Sequence, residues 1–131
     1  MTNFHLAWEN WINKQDREYR VLVDYYTILL LNADHRIYPR MSYGVPFLYR
    51  FGPLGYFNTD KHGLYFGFYW GKLLLNSEGA ELFEQDDRKM VKLVRLSSDS
   101  PQEDFLGNFL LLFERALEID SLKYEKNKAK K

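Results

Sequence analysis

The apolar positions of this chain follow a helical period at both ends and a strand period in the middle. Phe4, Ala7, Trp8, Trp11 and Ile12 recur at spacings of three and four, which predicts a short amphipathic helix over 4–13. Asn13-Lys14-Gln15 breaks it, and Asp16 then reads as the N-cap of a longer helix reaching about Ala33. On that helix Tyr19, Leu22, Tyr26, Leu29 and Ala33 form one stripe, widened by Tyr25 and Ile28, with Arg17, Arg20 and Asp24 opposite. From Ile37 the period is two. Ile37, Pro39, Met41 and Tyr43 alternate with Tyr38, Arg40 and Ser42, and Pro39, which has no N–H to donate, predicts an edge strand.

The stretch from Tyr43 to Trp70 holds almost half of the chain's aromatic residues, cut by glycine and proline into short extended pieces. Tyr43-Gly44-Val45-Pro46 reads as a turn or bulge, followed by a strand with Phe47, Tyr49 and Phe51 on one face and Leu48 and Arg50 on the other. Gly52-Pro53 turns the chain into a strand over 54–58, and Thr59–Gly63 is a hairpin loop. In Leu64–Trp70, Leu64, Phe66, Phe68 and Trp70 face one way and Tyr65, Gly67 and Tyr69 the other. Residues 71–88 read as a short turn and an acidic loop, and Met90–Leu96 as the last strand. Ser100-Pro101-Gln102-Glu103 carries a capping box with proline at the first helical position, opening a helix to about Leu122 whose buried stripe is Phe105, Phe109, Leu112, Phe113, Ala116 and Leu117. The predicted fold is an α+β two-layer sandwich in one domain over 1–122. A largely antiparallel sheet of about five strands is covered on one face by two N-terminal helices and one C-terminal helix.

Composition narrows the chemistry. The chain of 131 residues has no cysteine, which removes disulfides, thiolate metal sites and cysteine nucleophiles. The first residues show no signal-peptide pattern and the longest apolar run, Tyr25–Leu31, is too short to span a bilayer, so the expected location is cytoplasmic, with no membrane contact. The chain is neutral overall, yet residues 123–131 carry five lysines against one glutamate, which leaves the body acidic. That balance argues against a nucleic-acid partner, even with Arg40 and Arg50 close to stacking tyrosines. The tail has no apolar stripe and is expected to be a frayed helix end or disordered.

Three sets of residues invite a functional reading. The carboxylates Glu78, Glu81, Glu84, Asp86 and Asp87 form either a solvated acidic loop or oxygen ligands for a hard cation, although they lack calcium-loop spacing. Lys61 and His62 lie at a hairpin tip, where His62 is either a structural hydrogen-bonding group or a general base; no nucleophile-elbow motif accompanies Ser42, so no catalytic residue is assigned. The helices can cover only one sheet face. Phe66, Phe68 and Trp70, with Phe47 and Phe51, are the bulkier set and are expected to take it, at about 25 cal/mol per Å² of apolar area buried. Tyr43, Tyr65 and Tyr69 are then left for a small ligand or for a second copy of the chain in a homodimer.

Met41-Ser42-Tyr43-Gly44-Val45-Pro46-Phe47, Leu54-Gly55-Tyr56-Phe57 and Lys61-His62-Gly63-Leu64-Tyr65-Phe66, in that order, resemble the YdhG-like family, a family of unknown function with a fold distantly like that of frataxins. The resemblance runs from about Trp11 to Leu117, with Val45 where the family usually has methionine. Some bacterial members are described as frataxin-like iron chaperones, so the resemblance implies iron handling through carboxylate oxygens. Frataxins carry an acidic ridge on the first helix. Here Glu9, Asp16, Glu18 and Asp24 are diluted by Lys14, Arg17 and Arg20, and the denser set is Glu78–Asp87.

Overall fold

The computed structural model describes residues 3–97 and 103–129. The two N-terminal stripes form α1 (Asn3–Asn13) and α2 (Arg17–Leu31). Asp16 stands at the N-cap of α2 but makes no side-chain capping bond; its carbonyl accepts the Arg20 N–H at 3.0 Å. Five strands follow in a meander: β1 (Tyr38–Ser42), β2 (Val45–Tyr49), β3 (Pro53–Asp60), β4 (Gly63–Phe68) and, after two short 3-10 turns at Gly71–Leu74 and Ala80–Leu82, β5 (Lys92–Arg95). They pair antiparallel in sequence order, which places proline-bearing β1 at an edge as its missing N–H requires. The chain closes with α3 (Glu103–Ala129); the capping residues Ser100 and Pro101 lie outside the described residues.

The helices pack against one sheet face, and aromatic rings fill the space between. Phe66 meets Phe57 and Phe68 edge-on at 5.1 Å between centroids, and Phe109 and Phe113 of α3 at 5.7 and 6.4 Å. Such edge-to-face pairs add to the burial of apolar area. A Cβ on Gly55 would lie 2.4 Å from the Phe66 ring, so the absent side chain is what lets that ring lie flat on β3.

Three expectations are corrected. Phe47 and Phe51 do not belong to the helix-covered core: Leu48 points into it, opposite Gly55 and Phe68, while Phe47 lies on the other face. Alternation separates the two sets of a strand but does not choose between them, and here the cross-strand register does. Phe51 is 39% exposed beyond the end of β2. Trp70 is only partly buried against the core. The tail, expected to be a frayed helix end or disordered, is helical to Ala129, and its first turn is docked: Tyr124 stacks on Phe51 at 4.2 Å and the Lys123 ammonium sits 4.2 Å above the Trp70 ring.

Arg50 is turned inward as well. Its guanidinium donates to Asp120 (3.0 Å), Asp34 (2.9 Å), the Leu117 carbonyl (2.6 Å) and the Ser121 hydroxyl (2.7 Å). Asp120 also accepts the backbone N–H groups of Phe51 and Gly52. One buried cluster thus joins the end of α2, the β2–β3 turn and α3. Removing one partner of such a buried pair strands a charge, so Arg50→Met is expected to cost about 3–5 kcal/mol in urea denaturation. Tyr26 presents the opposite case. It is fully buried, its hydroxyl has no hydrogen-bond partner among the described residues, and burial pushes its phenol up to about 12. Tyr26→Phe removes an unpaired polar group and should leave stability unchanged or raise it by up to about 1 kcal/mol in the same measurement.

Candidate ligand groove on the open sheet face

The face away from the helices carries its own aromatic cluster. One cross-strand row runs Arg40, Phe47, Tyr56, Gly67 and Leu93 over all five strands. Phe47 stacks on Tyr56 at 4.9 Å with 26° between the planes. The Tyr56 ring lies over Gly67, where a Cβ would come within 2.8 Å of it. Tyr69 approaches Phe47 at 6.5 Å and Tyr43 approaches it at 5.9 Å. Phe47 is therefore buried, at 3% exposure, without any helix above it.

This cluster forms the floor and walls of a groove of about 340 Å³, lined by Tyr43, Val45, Phe47, Tyr56, Asn58, Tyr69 and Val91. Its size falls in the range of small-molecule sites. Tyr43 stands at its rim on the two-residue turn between Ser42 and Val45. Both turn residues have positive φ, +54° at Tyr43 and +76° at Gly44, as a tight two-residue hairpin demands. Glycine adopts that conformation freely. A tyrosine does not, and Tyr43 is the sole non-glycine residue with positive φ among those described. It is also 86% exposed, so burial does not offset the strain.

Tyr65 and Tyr69 share this open face, as alternation along β4 requires, but they are not equivalent. Tyr65 is 5% exposed, which corrects its expected place at an accessible surface. Its ring lies edge-on to Tyr56 and is covered by the guanidinium groups of Arg88 at 5.6 Å and Arg95 at 5.5 Å. Burial and the neighbouring Tyr65 push the Tyr56 phenol up to about 12, so it stays a neutral hydroxyl.

A second, charged groove of about 700 Å³ lies beside the β3–β4 hairpin, lined by Asp60, His62, Glu84, Gln85, Asp86, Arg88, Leu93 and Arg95. Its centre is Arg95. The guanidinium donates to Glu84 (2.6 and 3.0 Å), Asp60 (2.7 and 3.2 Å) and the Gly63 carbonyl (2.8 Å). Both carboxylates hold its pKa above the ordinary range, Glu84 most strongly. In return, Arg95 foremost, and then the His62 backbone N–H, hold Asp60 below the usual carboxylate range. The groove's main acceptors are thus occupied from within.

The remaining expected site residues disperse. Lys61 and His62 are exposed at the hairpin tip, and the backbone N–H of His62 donates to Asp60 at 2.9 Å. Of the acidic run, Glu84 is bound to Arg95, and Asp86 accepts the Arg88 N–H and lies 3.8 Å from the Lys92 ammonium. Glu78 lines a different groove beside α3, and Glu81 and Asp87 are exposed. No three His, Asp or Glu side chains are gathered in metal-binding geometry among the described residues. The sequence reading missed Val45, Phe47, Tyr56, Asn58 and Val91 in the aromatic groove, and Arg88 and Arg95 beside Tyr65. Asn58 carried a signal, because it alternates with Tyr56 on β3 and so shares its face.

No helix among the described residues is long and apolar enough to cross a membrane. No family model, curated protein or solved structure matches the chain.

The lowered carboxylates set a pH dependence. Asp34 is held below its ordinary range chiefly by its hydrogen bonds with Arg36, and Asp60 chiefly by Arg95. An unfolded aspartate takes up its proton near about pH 4, before either folded group does. The stability they contribute is therefore full above about pH 5 and is lost as pH falls through the folded values. Arg95→Met should lower the melting temperature at pH 7 and flatten its decline between pH 5 and 3. Parallel wild-type and variant profiles would show that Arg95 does not hold Asp60.

Proposed function

We propose that this protein acts by binding, without catalysis, and that the aromatic groove on the open sheet face is the seat of a small ligand. The observation that carries this reading is Tyr43. A bulky residue is kept in a left-handed turn conformation, exposed to water, at the rim of a groove. Its one ring contact is with Phe47, 5.9 Å away, while Asn or Gly suits the turn's backbone better. Backbone strain retained at a ring that stays this exposed is a motive for assigning function. The surrounding rings supply an apolar lining: Phe47 at the bottom, Tyr56 and Tyr69 packed against it, and Tyr43 exposed to water at the rim.

Tyr43→Asn separates the two roles. Asparagine tolerates positive φ, so the variant should gain up to about 1 kcal/mol of stability while losing the rim ring. Against a panel of uncharged aromatic fragments, wild type should show binding by thermal shift and by amide chemical-shift changes at residues 43–47 and 69. The variant should bind at least about tenfold more weakly, which corresponds to about 1.4 kcal/mol. A variant that binds the panel as wild type does would falsify the assignment. A wild-type dimer by light scattering that Tyr43→Asn dissociates would replace the small ligand by a second copy of the chain.

A further inference from the structure

The outer side of α3 carries a face that the groove on the sheet does not use. Leu111, Arg115, Glu118 and Leu122 follow one another at spacings of four, three and four, so they share one side of the helix. The core is met by a different side, through Phe109, Leu112, Phe113, Ala116 and Ile119. Leu111 and Leu122 are exposed, Leu122 by 62%, and so is Leu73 of the first 3-10 turn, which lines one groove with Leu111 and another with Leu122. We infer that this face docks a second copy of the chain, with α3 antiparallel to the α3 of its partner across a twofold axis. The inference goes beyond the ligand groove and does not depend on it.

The order of the four residues argues for that occupant. Read backwards, the spacings are again four, three and four, so an antiparallel copy of the same helix presents matching positions. Leu111 then faces Leu122 of the partner subunit, and Arg115 faces Glu118 of the partner subunit. Twofold symmetry makes each contact twice. Leucine meets leucine at both ends, and opposite charges meet in the middle. A parallel pair would set arginine on arginine and glutamate on glutamate, which like charges oppose. Within one chain the Arg115 guanidinium donates to Glu118 at 2.6 Å. An exposed pair of this kind is worth little, so both groups can turn to a partner at small cost.

The surface around this seam repeats the pattern. Toward its N-terminal end lies a groove of about 570 Å³, where Glu78, Glu114 and Glu118 stand around Leu73 and Leu111 with Arg115 as the one cation among the lining residues. Toward its C-terminal end lies a groove of about 360 Å³, where Arg115, Lys123 and Lys126 stand around Leu73, Ile119 and Leu122 with no carboxylate among the lining residues. A twofold axis through the middle of the seam lays the acidic end of each protomer on the basic end of the other. Charge arranged in this way steers encounter and fixes register. A purely acidic or purely basic partner would match only half of the face. The seam spans three helical turns, which lies at the low end of interface sizes, so the dimer is expected to be weak, with a dissociation constant of about 10 μM or above.

The test is sedimentation of the full chain at concentrations from about 10 μM to about 1 mM, a range that brackets a weak dimer. The average mass of the wild type should rise toward twice that of one chain. Arg115→Glu and Glu118→Arg, each alone, set like charges face to face in both central contacts and should weaken association at least about tenfold. Both side chains are at the surface, so each variant should melt close to the wild-type temperature. Mixed in equal amounts, the two variants should associate about as tightly as the wild type, since each supplies the charge that the other lacks. A wild type that stays monomeric throughout would overturn the dimer. If the backbone amides of Leu111 and Leu122 in that monomer move on adding dodecanoate, the face belongs to an anionic amphiphile instead. A dimer that both single variants leave intact, or that Tyr43→Asn dissociates, would overturn the assignment to α3. Variants that dissociate singly and remain apart when mixed would overturn the antiparallel pairing. Each of these failures except dissociation by Tyr43→Asn leaves the ligand groove untouched.

Discussion

The fold is closed by one buried cation. Arg50 stands just past the end of β2, 70 residues from Asp120 in α3, and its side chain is 5% exposed. It brings a carboxylate from α3, a carboxylate that follows α2, and a helical carbonyl to one point, while Asp120 takes the free N–H groups of the next turn. A buried ion pair is weak as a source of net stability, because desolvation offsets most of the attraction. Its stronger effect is on geometry. The planar fork accepts few arrangements of its partners, so it fixes the axial position of α3 against the sheet.

That position has consequences along the rest of α3. With Asp120 anchored, Phe109 and Phe113 fall against Phe66, and the helix extends far enough to lay Tyr124 on Phe51 and Lys123 on Trp70. Arg36 and Arg50 both lie over the Phe51 ring, at 5.1 and 4.6 Å, so the same guanidinium contributes to the polar cluster and to the aromatic contact above it. The acidic body and basic tail are therefore not separate regions. The tail's first turns are an integral part of how the sheet end is covered.

Three helices are sufficient for one sheet face, and the open face has to be stabilised by what it carries itself. It uses two devices. Rings cover rings, as Tyr56 and Phe47 do, and a paired arginine roofs Tyr65 where the hairpin and the acidic loop meet. The groove is where this self-covering stops. Its lining is apolar and ring-rich but open to water at Tyr43, and that residue's strained turn is a local cost that the rest of the sheet does not require.

Helix and strand existence was written locally in the chain. The spacing of Leu22, Tyr26, Phe109 and Phe113, the alternation through β4, and the proline of β1 each specify their element through nearest neighbours and backbone chemistry. Alternation also separated Tyr65 and Tyr69 from Phe66 and Phe68 without error, because the pleat has a period of two. It could not decide which set of β2 faces inward. That choice depends on Gly55 receiving a core ring and Gly67 receiving Tyr56, which are facts of strand register. Arg50, placed outside on alternation, is inside because acceptors distant in sequence converge on it. The acidic run looked like one cluster because its members are close in sequence; the segment with the short 3-10 turn Ala80–Leu82 sends Glu78 to one groove and Glu84 to another, and Arg95 then claims Glu84. What the chain determined by itself was the set of periodic elements, since these follow from interactions within a few residues. Tertiary structure alone decided which faces are buried and which polar groups meet, because burial and ion pairing depend on partners that only folding brings within reach.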